Sequence, residues 1–436
     1  MAIYATQPAQ ADTASAGATR PRIYAWVVFG LIFGLLLSDY MSRQVLNAVF
    51  PLLKAEWGLS DTQLGSLAGV VALLTGLLTF PLSLAADRFG RVRSIALMAL
   101  LWSAATLFCA WSSGYREMLF ARFLVGVGEA AYGSVGVALV LSMFPPSLRS
   151  TLTGSFMAGG AVGSVLGMAF GGALAVHFGW RWAFGGMALF GIVLTGLYLV
   201  VVTERRVGGR PPSREARGSG VPLRTLLGRL FGSVSVLCAY AGSGLQLFIM
   251  AALIAWLPSF FNRYAGMAPD RAALSAGMFV LVGAAGMIVC GIATDRLCRD
   301  DPSRKWIMAM AYCLLTALLL GAAFRLPPGP AATLVLALGM FFAAGTAGPA
   351  GAMVANLTPV AVHATAFATL TIANNLLGLA PGPFVMGFLA DRIGLQGALQ
   401  WMPLASLAAT CAFWIGRRFY AQDLQRIRAW RESVGD

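Results

Sequence analysis

The sequence predicts an all-α integral membrane protein in which twelve transmembrane helices form two pseudo-symmetric six-helix bundles. Of the 436 residues, 58% are hydrophobic and only 11% are charged, and the mean hydropathy is +0.76. A soluble protein this apolar could not cover its surface with polar groups. The chain also contains twelve apolar runs of membrane-spanning length, and its second half repeats a motif of the first.

Each apolar run is long enough to cross the hydrocarbon layer as a helix, which needs roughly 20 residues. The runs are too long and continuous for the alternating strands of a membrane barrel, which are about 10 residues each. The predicted spans are residues 23–50, 62–84, 94–112, 116–143, 149–176, 182–202, 231–258, 271–293, 305–324, 331–357, 363–390 and 397–416.

The polar segments divide the chain into five parts. Residues 1–22 are rich in Ala and Thr without a hydrophobic stretch, so we expect a disordered cytosolic tail and not a cleavable signal peptide. Residues 203–229, rich in Arg, Gly and Pro, predict a flexible cytosolic linker. The linker separates an N-terminal six-helix bundle, residues 23–202, from a C-terminal six-helix bundle, residues 230–418. Residues 419–436 are expected to form a second cytosolic tail.

The net charge of +14 reflects membrane topology and does not indicate a nucleic-acid partner. If the N-terminus is cytosolic, most of the 31 Lys and Arg residues fall in the tails and in the loops after the even-numbered spans. This asymmetry is what the positive-inside rule gives for an even number of spans. We therefore expect both termini in the cytosol and the protein in a bacterial inner membrane.

Cysteine and histidine do not form ligand patterns. The six cysteines are scattered, none forms a CxxC pair, and the two histidines are far apart. Small packing residues are the expected role of the cysteines. We expect neither a metal nor a cofactor.

An internal repeat supports the two-bundle architecture. "SLAADRFGR" at residues 83–91 ends span two, and "GIATDRLCR" at 291–299 ends span eight. A further echo, "GFLADRIG" at 387–394, closes span eleven. A duplication of six spans indicates a transporter whose substrate route runs between the two halves.

Two motifs resemble those of a known family. "SLAADRFGRVR" resembles the loop between spans two and three of the major facilitator superfamily, G-x-L-A-D-R-x-G-R-R, with Ser83 at the first Gly and Val92 at an Arg. "RFLVGVGEA" resembles the family's fourth-span motif, and the resemblance covers essentially the whole chain. Within the superfamily, "LLKAEWGLSDTQLG", "GEAAYGS", "MFPPSLRST" and "GWRWAF" look most like the spinster-like branch, which includes lysolipid and sphingolipid exporters. The anion:cation symporter branch shares several of these features.

The resemblance implies a latch at the cytosolic face. In the superfamily the acid of the loop motif, here Asp87, meets the positive N-terminal end of span eleven, near residues 362–366. Asp295 is expected to do the same at the start of span five. Because the latch forms only when the cytosolic ends close together, it favours the outward-open state. The predicted members are Asp87, Arg88, Arg91, Arg149, Asp295 and Arg296.

Four charged residues lie well inside predicted spans, away from the span ends. Asp39 and Arg43 are four residues apart with the acid first, the favourable order for an ion pair on a helix. At ~1.5 Å per residue, Asp39 and Glu129 lie near the membrane midplane, and Arg43 and Arg122 lie one layer outward. The proton affinity of such a buried carboxyl depends on whether water and a cation reach it, as proton coupling requires. A static buried ion pair that fixes helix register is the alternative.

The acid of span one stands at an unusual position. Spinster-like proteins commonly have an Asp immediately before the span-one Arg, where this chain has Ser42. Either Asp39 has taken over that role from about one turn deeper, or coupling depends on Glu129 alone.

Polar residues in the other spans are candidates for substrate contacts. Span seven offers Gln246 and no acid, and "ANNLLGLAPGPF" in span eleven places two asparagines before two prolines. Irregular backbone at that depth survives only where it lines a cavity or is covered by protein. Interhelical hydrogen bonds are the alternative role for each asparagine. The predicted pocket residues are Tyr132, Gln246, Asn356, Asn374 and Asn375.

Together these features predict a secondary active transporter that works by alternating access, and not an enzyme. Its expected partners are protons, membrane lipids and a lysolipid-like amphipathic anion, and we expect it to function as a monomer. A symporter of a small organic anion, such as a carboxylate or sugar acid, is the first alternative. A membrane scaffold or sensor that transports nothing is an alternative of another class.

Overall fold

The computed structural model describes residues 22–207, 232–358 and 363–434, and all regular structure in these ranges is helical. Helices α1 to α8 are Arg22–Trp57, Asp61–Phe89, Arg91–Trp111, Tyr115–Glu129, Tyr132–Met143, Arg149–Phe178, Trp180–Val201 and Glu204–Val207. Helices α9 to α16 are Val234–Tyr264, Pro269–Leu297, Arg304–Ala323, Pro330–Ala343, Ala347–Asn356, His363–Asn374, Pro381–Trp401 and Pro403–Val434.

The helices confirm the predicted all-α membrane fold. Eleven helical segments of the described chain are long and apolar enough to cross a membrane. Each of the first eleven predicted spans corresponds to one of them. The twelfth predicted span, 397–416, is helical but is shared between α15 and α16, because a backbone kink at Gly394, with φ 76°, precedes it and Pro403 begins a new helix. Met402, which lies between these two helices, has helical backbone angles, so no sharp kink falls within the predicted span.

Three spans are interrupted near their middle. Span four is divided into α4 and α5 directly after Glu129. Span ten is divided into α12 and α13 by the 3-10 turn Ala344–Thr346. Span eleven contains a π-helical turn, Asn375–Leu379, between α14 and α15. Such turns occur frequently at functional sites, and Pro381 at the start of α15 explains why the regular pattern stops here.

The described helices pack as two bundles, α1–α7 and α9–α16. One apolar core cluster lies wholly within the first bundle and another wholly within the second. The largest cluster contains residues of both, and in it the rings of Phe50 and Trp256 lie 5.3 Å apart. We call the membrane side where α1 and α9 begin the terminal face, and the side where they end the far face. Phe50 and Trp256 lie toward the far face.

Small residues let the bundles approach closely. A Cβ added at Gly69 of α2 would lie 2.5 Å from the carbonyl oxygen of Ala380, and one at Gly172 of α6 would lie 2.8 Å from Cβ of Ala273 in α10. Within the first bundle, a glycine face of α6 packs against α1, because a row of small residues lets two helix backbones approach closely. The glycines of that face are Gly159, Gly163, Gly167 and Gly171.

The predicted division of the chain falls partly outside the described residues. The tail up to residue 21 and linker residues 208–231 are not described. Between the bundles, the structure describes the short helix Glu204–Val207. Helix α16 continues to Val434, through most of the segment that we expected to form the C-terminal tail.

Candidate functional site

Arg43 lies between two buried carboxylates in the first bundle. Its Nε is 2.7 Å from Oε2 of Glu129 and 3.6 Å from Oδ1 of Asp39. Glu129 is 2% exposed and Asp39 is 4% exposed. Neither oxygen of Glu129 accepts a hydrogen bond of good geometry from the described residues. With both carboxylates ionised, this trio holds one more negative than positive charge, so the uptake of one proton would neutralise it.

Arg122 is a buried cation held by backbone oxygens. It is 1% exposed, and it donates to the carbonyls of Ser42 at 3.2 Å and Leu67 at 3.3 Å. Within the described ranges, no carboxylate lies within ion-pair distance of its guanidinium. A buried charge is costly unless it is paired, so this arginine is suited to an anion that comes from outside the protein.

Both arginines line a cavity between the bundles. We call it the charged cavity; its volume is about 120 Å³. Its polar lining comes from the first bundle, and its walls in the second bundle are apolar residues of α9 and span eleven. The polar lining residues are Arg43, Gln44, Asn47 and Arg122. An anion in this space would face two guanidinium groups.

A larger cavity lies next to it along the same helices. We call it the apolar cavity; its volume is about 320 Å³, and α6, α9 and α10 provide most of its wall. Tyr40 of α1 lines it, one turn from Arg43. Of the predicted pocket residues, Asn374 lines this cavity, and its Oδ1 accepts no hydrogen bond from the described residues.

The other predicted pocket residues do not line these two cavities. Tyr132 is fully buried, donates to the carbonyl of Ile32 at 2.5 Å and packs against Trp102. Gln246 hydrogen-bonds to Thr316 and Ser406 inside the second bundle.

The remaining two asparagines lie in the interrupted spans. Asn375 donates to the carbonyl of Thr371 and packs over Gly76 of α2. Asn356 is partly exposed at the end of α13. These positions fit contacts within and between helices, the alternative role that the sequence left open.

A polar cluster joins the bundles at the far face. The carboxylate of Asp61, 3% exposed, accepts two bonds from Arg263 at 2.7 and 2.9 Å and one from Lys54 at 2.7 Å. The carboxylate of Asp391 accepts from the backbone N–H groups of Asp61 and Thr62, at 2.7 and 2.8 Å, at the start of α2. We call these five residues the far-face cluster. It ties α1 and α2 to α9 and α15.

Among the described residues, the predicted latch groups form no ion pair between the bundles. Asp87 pairs with Arg91 of the same loop, with Nε 3.2 Å from Oδ1. Within the described ranges, Arg149, Asp295 and Arg296 make no ion pair. Of the expected contact region for Asp87, residue 362 lies outside the described residues. The described connections between the bundles are therefore concentrated at the far face.

Sequence reasoning missed the far-face cluster. Lys54 and Arg263 lie outside the predicted spans, and Asp391 belongs to the echo "GFLADRIG". That echo was the available signal. The resemblance implied that Asp87, at the end of span two, meets the start of span eleven at the terminal face. The far-face contact is its counterpart, because there Asp391, at the end of span eleven, meets the start of span two.

The fold and the site define a two-bundle α-helical membrane protein with a charged cavity between its halves. The sequence profile described as Major Facilitator Superfamily matches residues 32–380. The chain belongs to this superfamily, and the prediction that it is a transporter and not an enzyme is confirmed by that match.

Similar proteins agree with this assignment. The chain is 28% identical over 431 residues to an MFS-type efflux pump of Mycolicibacterium smegmatis, covering 95% of this chain and 97% of that protein. It is 22% identical over 367 residues to a hexuronate transporter of Bacillus subtilis, covering 82% and 86%. Its fold matches a bacterial homologue of the human lysosomal transporter Spinster, in an inward-facing and unoccupied conformation, with a TM-score of 0.82, 19% identity and coverage of 92% and 99%. The resemblance to the spinster-like branch is thus confirmed at the level of fold.

Proposed function

We propose that this protein is a proton-coupled transporter of an organic anion that works by alternating access across a bacterial inner membrane. The observation that carries the proposal is the arrangement of Arg43, Arg122, Asp39 and Glu129. Two buried cations line one cavity, and two buried carboxylates share the first of these cations.

Arg122 supports the choice of an anionic substrate. Its guanidinium is desolvated, is held by two carbonyls and lacks a carboxylate partner among the described residues. A substrate carboxylate or phosphate would supply the missing counter-charge, and a guanidinium is well shaped to hold either group by two parallel hydrogen bonds.

The two carboxylates support proton coupling. Arg43 is attracted to Glu129 and Asp39 as long as both are ionised, and a substrate anion in the charged cavity competes for the same guanidinium. When one carboxyl takes up a proton, a single carboxylate remains to attract Arg43, so the guanidinium is held less strongly and can turn toward the substrate; when substrate leaves and the proton is released, Arg43 returns to both carboxylates. The proton belongs to the pair of carboxyls more than to either residue.

The far-face cluster supports a conformation open toward the terminal face. The bundles are tied together at the far face, whereas at the terminal face Asp87 pairs with Arg91 of its own bundle. The positive-inside distribution of Lys and Arg places the terminal face in the cytosol, so the conformation is inward-open. Alternating access then requires the far-face cluster to break while the terminal face closes.

Two classes of anion are candidates for the substrate. The resemblance to spinster-like proteins favours a lysolipid-like amphipathic anion. The similarity to the hexuronate transporter favours a small carboxylate. Both candidates use the same arginines for the charged group and differ only in the body that the anion carries.

Flux measurements test the proposal. The purified protein is reconstituted into vesicles, and the uptake of lysophosphatidate, D-glucuronate and 4-hydroxybenzoate is followed with and without an imposed pH gradient, with protein-free vesicles as the control for passive entry. We expect the gradient to increase protein-dependent uptake of at least one anion. Uptake that ignores the gradient would contradict proton coupling, and the absence of protein-dependent flux for all three would favour the scaffold or sensor.

A further inference from the structure

The apolar cavity is lined by residues that have no part in the proton and anion contacts described above. Three methionines from three helices face it: Met157 of α6, Met250 of α9 and Met287 of α10. Most of the remaining lining is alanine, glycine, leucine and valine. Methionine is flexible and polarisable, and its sulfur makes favourable contacts with aromatic rings. A cavity of this size with an apolar wall and few polar groups is typical of a site for a small organic ligand.

The two cavities follow each other along shared helices. On α1, Tyr40 lines the apolar cavity and Arg43 the charged cavity; on α9, Met250 lines the first and Ala251 and Ile254 the second. Tyr40 and Arg43 are three residues apart and Met250 and Ile254 are four apart, which is about one turn of helix or 5 Å. A single molecule that spans both cavities would place an anionic group at the arginines and its body among the methionines.

The polar groups of the apolar cavity are few and partly occupied. The hydroxyl of Ser164 already donates to the carbonyl of Gly160 at 2.8 Å. Ser243 and Thr346 are each 4% exposed and present little surface. Asn374 has an amide oxygen free among the described residues, so it could accept one hydrogen bond from a ligand. With the Tyr40 hydroxyl and the Asn374 amide as the main remaining polar groups, a ligand body with many hydroxyls would leave most of them without partners, which is unfavourable in an apolar site.

A glycine keeps the cavity open. A Cβ at Gly283 of α10 would lie 3.1 Å from Cε of Met250, so a larger residue here would compete with the Met250 methyl group for the same space. The space beside Met250 is thus available to a ligand because position 283 carries no side chain.

We infer that the apolar cavity receives the body of the substrate, and that this body is apolar, either aromatic or alkyl, so that polyhydroxylated sugar acids are poor substrates. The inference rests on the proposed anion site, because it uses Arg43 and Arg122 to hold the charged end. The inference distinguishes the two candidate classes of anion by the part of the molecule that carries the charged group: an apolar part fits the cavity, and a sugar does not.

Two matched carboxylates test the inference on the purified full-length protein. Binding of 3-phenylpropionate and of D-glucuronate is measured by titration of thermal stability at one pH and ionic strength. We expect 3-phenylpropionate to bind at least tenfold more tightly. Equal or tighter binding of D-glucuronate would overturn the inference.

Variants separate this outcome from a failure of the anion site. Met287→Gln replaces a thioether by an amide of nearly the same length, and we expect it to weaken 3-phenylpropionate binding several-fold. The matched control is Met310→Gln, in α11 and outside both cavities, which should leave binding unchanged. Unchanged binding in Met287→Gln would contradict the inference.

If D-glucuronate binds preferentially and Arg122→Gln abolishes that binding, the proposed function stands and the inference fails. If neither carboxylate binds the wild-type protein, both fail.

Discussion

Arg43 is the residue at which the buried charges of the first bundle meet. The four-residue spacing from Asp39 predicted their pairing, and the structure places the two groups 3.6 Å apart. The shorter approach, 2.7 Å to Glu129, joins α1 to the end of α4. No spacing rule could predict that approach, because it depends on how two helices far apart in sequence pack together.

The same limit applies to the other polar residues. The sequence identified Arg122 as a buried cation but not its partners, which are backbone carbonyls of α1 and α2. It proposed Gln246 as a pocket residue from its polarity, whereas the structure gives Gln246 two hydrogen bonds within its own bundle. The depth of a residue in the membrane can be predicted from the sequence. Which neighbour its side chain faces can be determined only from the packed structure.

The arrangement at Arg43 makes a prediction for the displaced acid. Asp39→Asn should reduce proton-driven transport on the order of tenfold or more, while exchange of substrate without net proton movement continues. Because Glu129 remains 2.7 Å from Arg43, the variant should keep its thermal stability. Gradient-driven uptake, exchange and melting temperature are measured on the same preparation.

Two results would contradict this account of Asp39. A variant that remains fully proton-driven would show that Glu129 acts alone. A loss of stability of several kcal/mol would show that Asp39 is the main counter-charge of Arg43, since removing one partner of a buried pair typically has that effect. Ser38→Ala, one residue away and equally buried, is the control.

At the scale of elements, the interrupted spans surround the site. Span four breaks after Glu129, and the π-helical turn of span eleven follows Asn374. The two prolines in "APGPF" predicted irregular backbone in span eleven. The break in span four has no proline to predict it, since alanines follow Glu129.

The contact between α2 and α15 allows a test of the closed far face. Gly69→Ala places a Cβ where the carbonyl oxygen of Ala380 would lie 2.5 Å away, so the two helices must separate. Overpacking of this kind destabilises by about 1 to 3 kcal/mol. We expect the cost to fall on the far-face-closed conformation and to increase labelling of residues in the charged cavity from the far face.

The control for this prediction is Gly30→Ala, because an added Cβ at Gly30 meets nothing within 4 Å. A Cys at position 47 serves as the reporter in both variants. Equal labelling of the two would indicate that the α2–α15 contact does not limit opening at the far face.

At the scale of the whole molecule, the ion pair that joins the bundles among the described residues lies at the far face. The internal repeat predicted two bundles and a route between them, and the family match and fold agree. The conformation could not be predicted from the sequence, because one chain must encode both the open and the closed arrangement of each face.

The latch at the terminal face gives a prediction about the equilibrium between the inward-open and outward-open conformations. Asp87→Asn should keep the fold, because Asp87 is exposed, and should shift the protein toward the inward-open conformation, since the closed terminal face loses one of its charged contacts. A Cys at position 161 in the apolar cavity should become more accessible from the terminal face. Asp300→Asn, an exposed acid at the same face, is the control; identical labelling of both variants would indicate that the latch has no part in the cycle.

The most direct test of proton coupling follows protons instead of substrate. Vesicles containing the protein and an internal pH-sensitive dye receive 4-hydroxybenzoate without an imposed gradient, and radiolabelled substrate is followed in parallel. Vesicles with Glu129→Gln report passive entry of the weak acid. We predict that the wild-type protein changes the internal pH beyond this background, in proportion to its extra substrate flux. Protein-dependent flux of substrate with a pH trace identical to that of Glu129→Gln would contradict the proposal that this transporter couples an organic anion to protons.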